Sequence, residues 1–201
     1  MVTRQTRAKA RELRASGLTG QEIADLLQVS LTSIIKWTRD PNHPYSVKAR
    51  VRRLQWQEEG RKAAREANKL HRMGSLLYWA EGGKSRNSVV FGNTDTAMML
   101  LFIKFLRTEL AVKDDEIKLH IQAHAVDPIQ IKQIEYYWLN ILILPHSALK
   151  KTHLKKGNHE RKHKTYENGF CVIYVNDTRL VQHIYGAIQE YGGFDNPEWL
   201  F

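Results

Sequence analysis

Cysteine is almost missing: Cys171 is the single one in 201 residues. An intramolecular disulfide is therefore excluded, and so is a zinc site built from several thiolates of one chain. A reducing compartment fits that usage. Long apolar runs are missing too. Those present are short and interrupted by polar residues, so no membrane span is expected. The opening MVTRQTRAKAREL is charged and has no apolar stretch behind it, which excludes reading it as a secretory signal. There is no internal repeat, no low-complexity tract, no Ser/His/Asp triad and no glycine-rich phosphate loop. Acid is scarce: 21 Asp and Glu stand against 31 Lys and Arg, a formal charge of +10. That excess points to an anionic partner, with nucleic acid the first class to consider. Apolar residues still make up 42%, enough for a real core.

What is there begins with a small helical unit, expected over residues 1–45. Residues 5–16 have helical periodicity, with Ala8, Ala10, Leu13 and Ala15 on or near one face and Gly17 as the stop. Thr19-Gly-Gln-Glu22 is a T-x-x-E capping box opening a second helix with Ile23, Leu26 and Leu27 at core spacing. Gln28-Val29 predicts a tight turn. Ser30 predicts a cap for a third helix, with Ile34 and Trp37 inward. Two short helices joined by such a turn form a helix-turn-helix. The stretch GLTGQEIADLLQVSLTSIIKWTRD resembles the helix-turn-helix of resolvases and their relatives, with Gln28 where many of them have glycine. The resemblance implies that the helix from Leu31 enters the major groove of double-stranded DNA. Leu31, Thr32, Ser33, Ile35, Lys36 and Arg39 are then the candidates for base or phosphate contact. Arg4, Arg7, Arg11 and Arg14 add positive charge alongside.

Two prolines in PNHPY (41–45) mark a boundary, and residues 46–71 predict a basic helical linker interrupted only by Gly60. An α+β domain is expected over 72–193, with an irregular tail at 194–201. In it RMGSLLYWAEG predicts a helix, KSRNSVVFGN short extended structure, and Asn93-Thr94-Asp95 the cap of an apolar helix. IKLHIQAH (117–124) alternates, with Lys118, His120, Gln122 and His124 on one face, as a half-buried strand does. Asp127-Pro128 predicts a helix to about 141, GFCVIYV (169–175) a strand, and Asp177 or Thr178 the cap of a last helix.

The segment LLYWAEGGKSRNSVVFGNTD (76–95) resembles the LAGLIDADG homing endonucleases and their regulatory relatives. Leu77, Tyr78, Ala80, Glu81 and Gly82 fall on the motif's L-I-x-A-D-G positions, with Glu81 in place of the usual Asp. The resemblance implies an αββαββα domain whose saddle-shaped sheet faces DNA. It also implies a carboxylate, Glu81, that binds Mg²⁺ at the scissile phosphate. One motif copy implies a homodimer with twofold symmetry. Lys84, Arg86 and Asn87 would join Lys118, His120 and Gln122 on the DNA-facing side. The implied function is sequence-specific binding of double-stranded DNA, with metal-dependent cleavage or transcription regulation without cleavage as the two outcomes. A cytoplasmic, nucleoid-associated location follows from that function.

HERKH (159–163) spells the H-E-x-x-H pattern of zinc hydrolases, with His159 and His163 as ligands. That chemistry needs an amphipathic helix. Here Gly157-Asn158 and Asn168-Gly169 box the segment, and no apolar stripe runs through it. The better expectation is a basic loop between two strands, with Lys155, Lys156, Arg161, Lys162 and Lys164 against DNA phosphates.

Overall fold

A computed structural model describes residues 4–38, 44–123, 127–154 and 167–200. The chain divides into two compact units, Met1–Ala49 and Arg50–Phe201. In the first, α1 (Arg4–Ala15), α2 (Gly20–Leu27) and α3 (Leu31–Trp37) enclose a small core of Ala10, Ile23, Ala24 and Ile34. The capping box forms in full: Glu22 N donates to Thr19 Oγ1, and Thr19 N donates to Glu22 Oε2 at 2.7 Å. Gln28 adopts φ 54°, ψ 44°, the left-handed conformation that closes α2 and turns the chain into α3. Leu26 departs from expectation. It is 62% exposed, because the buried face of α2 runs through Ile23, Ala24 and Leu27. Ala8 and Ala15 are exposed as well.

The second unit is α+β. After α4 (Pro44–Arg65), which crosses the division, come α5 (Lys69–Glu81), β1 (Val89–Asn93), α6 (Thr96–Thr108), β2 (Lys118–Ala123), α7 (Pro128–Leu142), β3 (Leu149–Leu154), β4 (Phe170–Val175) and α8 (Thr178–Gly192). Asp95, Asp127 and Asp177 cap α6, α7 and α8 by accepting hydrogen bonds from first-turn amides. The strands form one sheet in the order β1-β4-β2-β3, antiparallel except for the parallel pair β2 and β3, which α7 connects as a crossover. Helices cover one face, where Phe91, Leu119, Ile121, Cys171 and Ile173 join Tyr78, Phe102 and Trp138 in the core. The alternate residues of β2 and β4 are half-buried on the opposite, open face.

Three features differ from the sequence-based expectations. From Arg50 onward the segment expected as a linker belongs to the second unit, because α4 docks on α8 through one helix face: Arg53, Gln57, Gly60 and Ala64, spaced by three or four residues, are all buried. At the crossing a Cβ on Gly60 would lie 2.0 Å from His183 O, and one on Gly186 1.9 Å from Gln57 O. Only glycine permits that approach. Next, the two strands expected after the Glu81 helix reduce to β1 and an isolated bridge, Gly82 with Phe91, because bends at 86–88 interrupt the extended run. Finally, residues 149–154, a polar stretch with no apolar alternation, form the edge strand β3. With α7 between β2 and β3, the element order is αβαβαββα from α5 to α8 rather than αββαββα.

Candidate nucleic-acid interface

The first candidate surface lies on α3. Ile34 anchors the helix in the core, and Ser30 caps it by accepting from Ser33 N at 3.3 Å. That leaves Leu31, Thr32, Ile35 and Lys36 exposed, with Ile35 59% accessible. Ser33 is half-buried, and its hydroxyl shares a 2.9 Å hydrogen bond with that of Ser30. Arg39 lies outside the described residues. Three of the arginines grouped alongside hold the fold together. Arg11 Nε donates to Trp37 O at 2.9 Å, Arg14 Nη1 donates to Leu18 O at 2.8 Å, and the Arg7 guanidinium sits 5.8 Å from the Trp37 ring centroid. Their charges still face water, since all three are exposed.

The second surface is the open sheet face. Lys118, His120 and Gln122 stand on it in alternation along β2, as their sequence pattern predicts. His153 joins them from β3 opposite Gln122, and Tyr174 and Phe170 join them from β4 opposite Lys118 and Gln122. The sequence reading missed these three. In FCVIYV both faces carry apolar residues, so no polar alternation marks the open one. His153 sits in a short strand too polar to be recognised.

The loop after α5 is built differently. Buried side chains of α5 and α8 hold it by its backbone. Tyr185 OH donates to Ser85 O at 2.7 Å, Gln182 Nε2 to Arg86 O at 3.0 Å, and Tyr78 OH to Gly83 O at 2.8 Å. Burial, then the repulsion it would meet from an ionised Tyr185 beside it, raises the Tyr78 phenol far above its ordinary value, and burial lifts Tyr185 to about 12. Both are therefore fixed neutral donors. Of the loop's expected contacts, Arg86 is exposed, and Asn87 Oδ1 accepts from Arg53 Nη2 at 2.8 Å. Lys84 Nζ donates to Trp79 O at 2.7 Å and Gly82 O at 3.1 Å, so its ammonium caps the carbonyl end of α5.

Glu81 ends α5 and is exposed. Mg²⁺ takes near-octahedral oxygen ligands, of which protein carboxylates usually supply one or two. Among the described residues no group of three or more His, Cys, Asp or Glu is arranged to hold a metal, and the Lys84 ammonium lies on the carbonyls next to Glu81. The described residues of one chain thus place no such cluster at Glu81. His124, Lys155, Lys156, Arg161, Lys162, Lys164 and the HERKH pair His159 and His163 lie outside the described residues. No helix among the described residues is long and apolar enough to cross a membrane. No protein-family model matches the chain, and neither does any curated protein or solved structure.

Proposed function

We propose that this is a sequence-specific double-stranded DNA-binding protein that reads the major groove with α3 and makes a second DNA contact with the open sheet face. The observation that carries the proposal is the local build of α2 and α3. A full capping box, a left-handed residue at the turn and a buried Ile34 fix α3, while Leu31, Thr32, Ile35 and Lys36 remain free on its outer side. A helix whose polar and methyl-bearing side chains are held rigidly outward suits base-edge contact. The net charge of +10 supplies the phosphate attraction. Lys118, His120 and Gln122 form the second contact. Selection of DNA from a random pool by the purified chain tests this. The expected result is one enriched sequence whose affinity falls steeply with salt, and about tenfold or more upon Lys36→Ala. A flat profile insensitive to salt would end the proposal.

A second reading, cleavage by a homodimer of the LAGLIDADG kind, draws on one further observation. Met73, Leu76 and Ala80 form an exposed, largely apolar stripe along α5 that ends beside Glu81. Two copies pairing along that stripe would bring two Glu81 carboxylates together, one from each copy, as a shared Mg²⁺ site would use. Regulation without cleavage follows if the pair binds DNA only. Incubating bound DNA with and without Mg²⁺, for the wild type and Glu81→Gln, separates the two. Cleavage that survives the substitution removes Glu81 from the chemistry.

A further inference from the structure

Resting on the proposal that the open sheet face contacts DNA, we infer that this face takes DNA as an unpaired strand, with bases stacked on a row of rings. The rings come from three adjacent strands: Phe170 and Tyr174 on β4, His120 on β2 and His153 on β3. Tyr174 meets His120 edge to face with centroids 6.1 Å apart, and His120 lies within 19° of parallel to His153 at 6.5 Å. Phe170 is seated toward the other edge of the sheet. A Cβ on Gly92 of β1 would come within 2.7 Å of two atoms of the Phe170 ring, so the missing side chain is what lets the ring close over β1.

Charge complementarity selects the occupant. The residues described on the open face of the sheet include Lys118 and two imidazoles and no carboxylate. Duplex DNA offers such a surface phosphates and groove edges, because its bases are stacked on one another, and the rings then have no counterpart. An unpaired strand offers base faces to the rings and phosphates to Lys118 together, and the Gln122 amide can bond to a base edge. The face thus combines stacking groups with positive charge, as sequence-tolerant single-strand binding requires. The occupant is single-stranded DNA rather than RNA, since the same chain carries the proposed α3 reading head for DNA.

The test is fluorescence anisotropy of the full chain with a fluorescein-labelled oligothymidine of about twelve nucleotides, an abasic oligonucleotide of equal length, the matching oligouridine and a duplex. The oligothymidine is expected to bind about tenfold or more tightly than the abasic strand, and at least as tightly as oligouridine. Tyr174→Leu and Phe170→Leu, which keep apolar bulk without a ring, are each expected to weaken oligothymidine binding about tenfold. Equal affinity for the abasic strand overturns stacking, whatever the variants do. Tighter binding of oligouridine overturns the choice of DNA. Oligothymidine binding by a chain that binds no duplex would end the α3 proposal and leave this one standing. Duplex binding with no preference for bases over abasic sugar would do the reverse.

Discussion

The two compact units solve the same problem by different means. The first has four buried core side chains among its described residues, so its stability leans on local devices: a capping box, a left-handed turn residue, a serine cap and three arginines bonded to or stacked on the chain. The second has an extended apolar core and adds contacts between residues more than a hundred positions apart. Gln57 Nε2 donates to Gln182 Oε1 at 2.7 Å, Gln189 Nε2 donates to Gln57 Oε1 at 3.0 Å, and Arg53 Nη1 donates to Leu200 O at 2.8 Å. The difference teaches where function sits. A unit held by local caps leaves most of α3 free for a ligand. A unit held by long-range contacts instead commits even polar side chains to the interior and keeps one sheet face open.

The comparison breaks most sharply at Gly60. Gly60→Ala gains about 1 kcal/mol of helix propensity, but its Cβ meets a backbone oxygen 2.0 Å away that no rotamer change can move. Overpacking wins, and a net loss of about 3 kcal/mol is expected in the second unit alone. Urea unfolding, with hydrogen exchange resolving the two units, measures it. Neutrality of the variant would mean that α4 and α8 do not approach so closely.

Acid should separate the units by window. His71 and His183 face each other Nε2 to Nε2 at 3.4 Å, with Tyr191 OH 2.8 Å from His71 Nδ1 and Glu59, Glu109 and Arg179 around them. Burial, reinforced by His71, pushes His183 down from 6.5 to about 4, and burial also lowers His71. Both imidazoles therefore stay neutral in the folded chain at pH values where unfolded ones take up protons. Unfolding gains protons as pH falls below 6.5, so the second unit loses stability from there to about 4, by up to about 3 kcal/mol for His183. The first unit works in another window. Hydrogen bonds from the Thr19 amide and hydroxyl hold Glu22 below its ordinary 4.5, so its contribution is present above that pH and lost only as pH falls through the lowered value. Urea midpoints followed from about pH 7 to about 4 should fall for the second unit first. Simultaneous loss in both would contradict the assignment.

These local and long-range modes also explain what was legible beforehand. The Thr19 box, the Asp95, Asp127 and Asp177 caps and the alternation of β2 involve residues within a few positions of one another, so sequence spacing exposes them. The docking of α4 was hidden, because Gln57 and Arg53 read as solvent-facing until Gln182 and Leu200 are brought to them. The edge strand β3 was hidden by its charge, since KKTH gives no apolar alternation. Half of the candidate interface followed from spacing, namely α3 and the polar side of β2. The rings of β4 did not, because a strand apolar on both faces resembles one buried on both.

A smaller effect tests the local mode directly. Thr19→Ala removes the hydroxyl that accepts from the Glu22 amide while leaving the residue-19 amide on the Glu22 carboxylate, and should cost the first unit about 1 kcal/mol, seen as faster exchange of the α2 and α3 amides with the second unit unchanged.

The smallest expected effect has the opposite sign. Gln28 holds φ 54°, a conformation that costs a side-chain-bearing residue about 1 kcal/mol or more relative to glycine. Gln28→Gly removes that cost, but it also gives the unfolded chain extra freedom worth up to about 1 kcal/mol. The two terms nearly cancel, and the strain term is the larger, so a gain of about 0.5 kcal/mol is expected. Slower exchange of the α2 and α3 amides in the glycine variant would register it. Faster exchange would mean that the Gln28 side chain contributes something to the turn beyond its backbone angle, and the first unit would then be held by more than its caps.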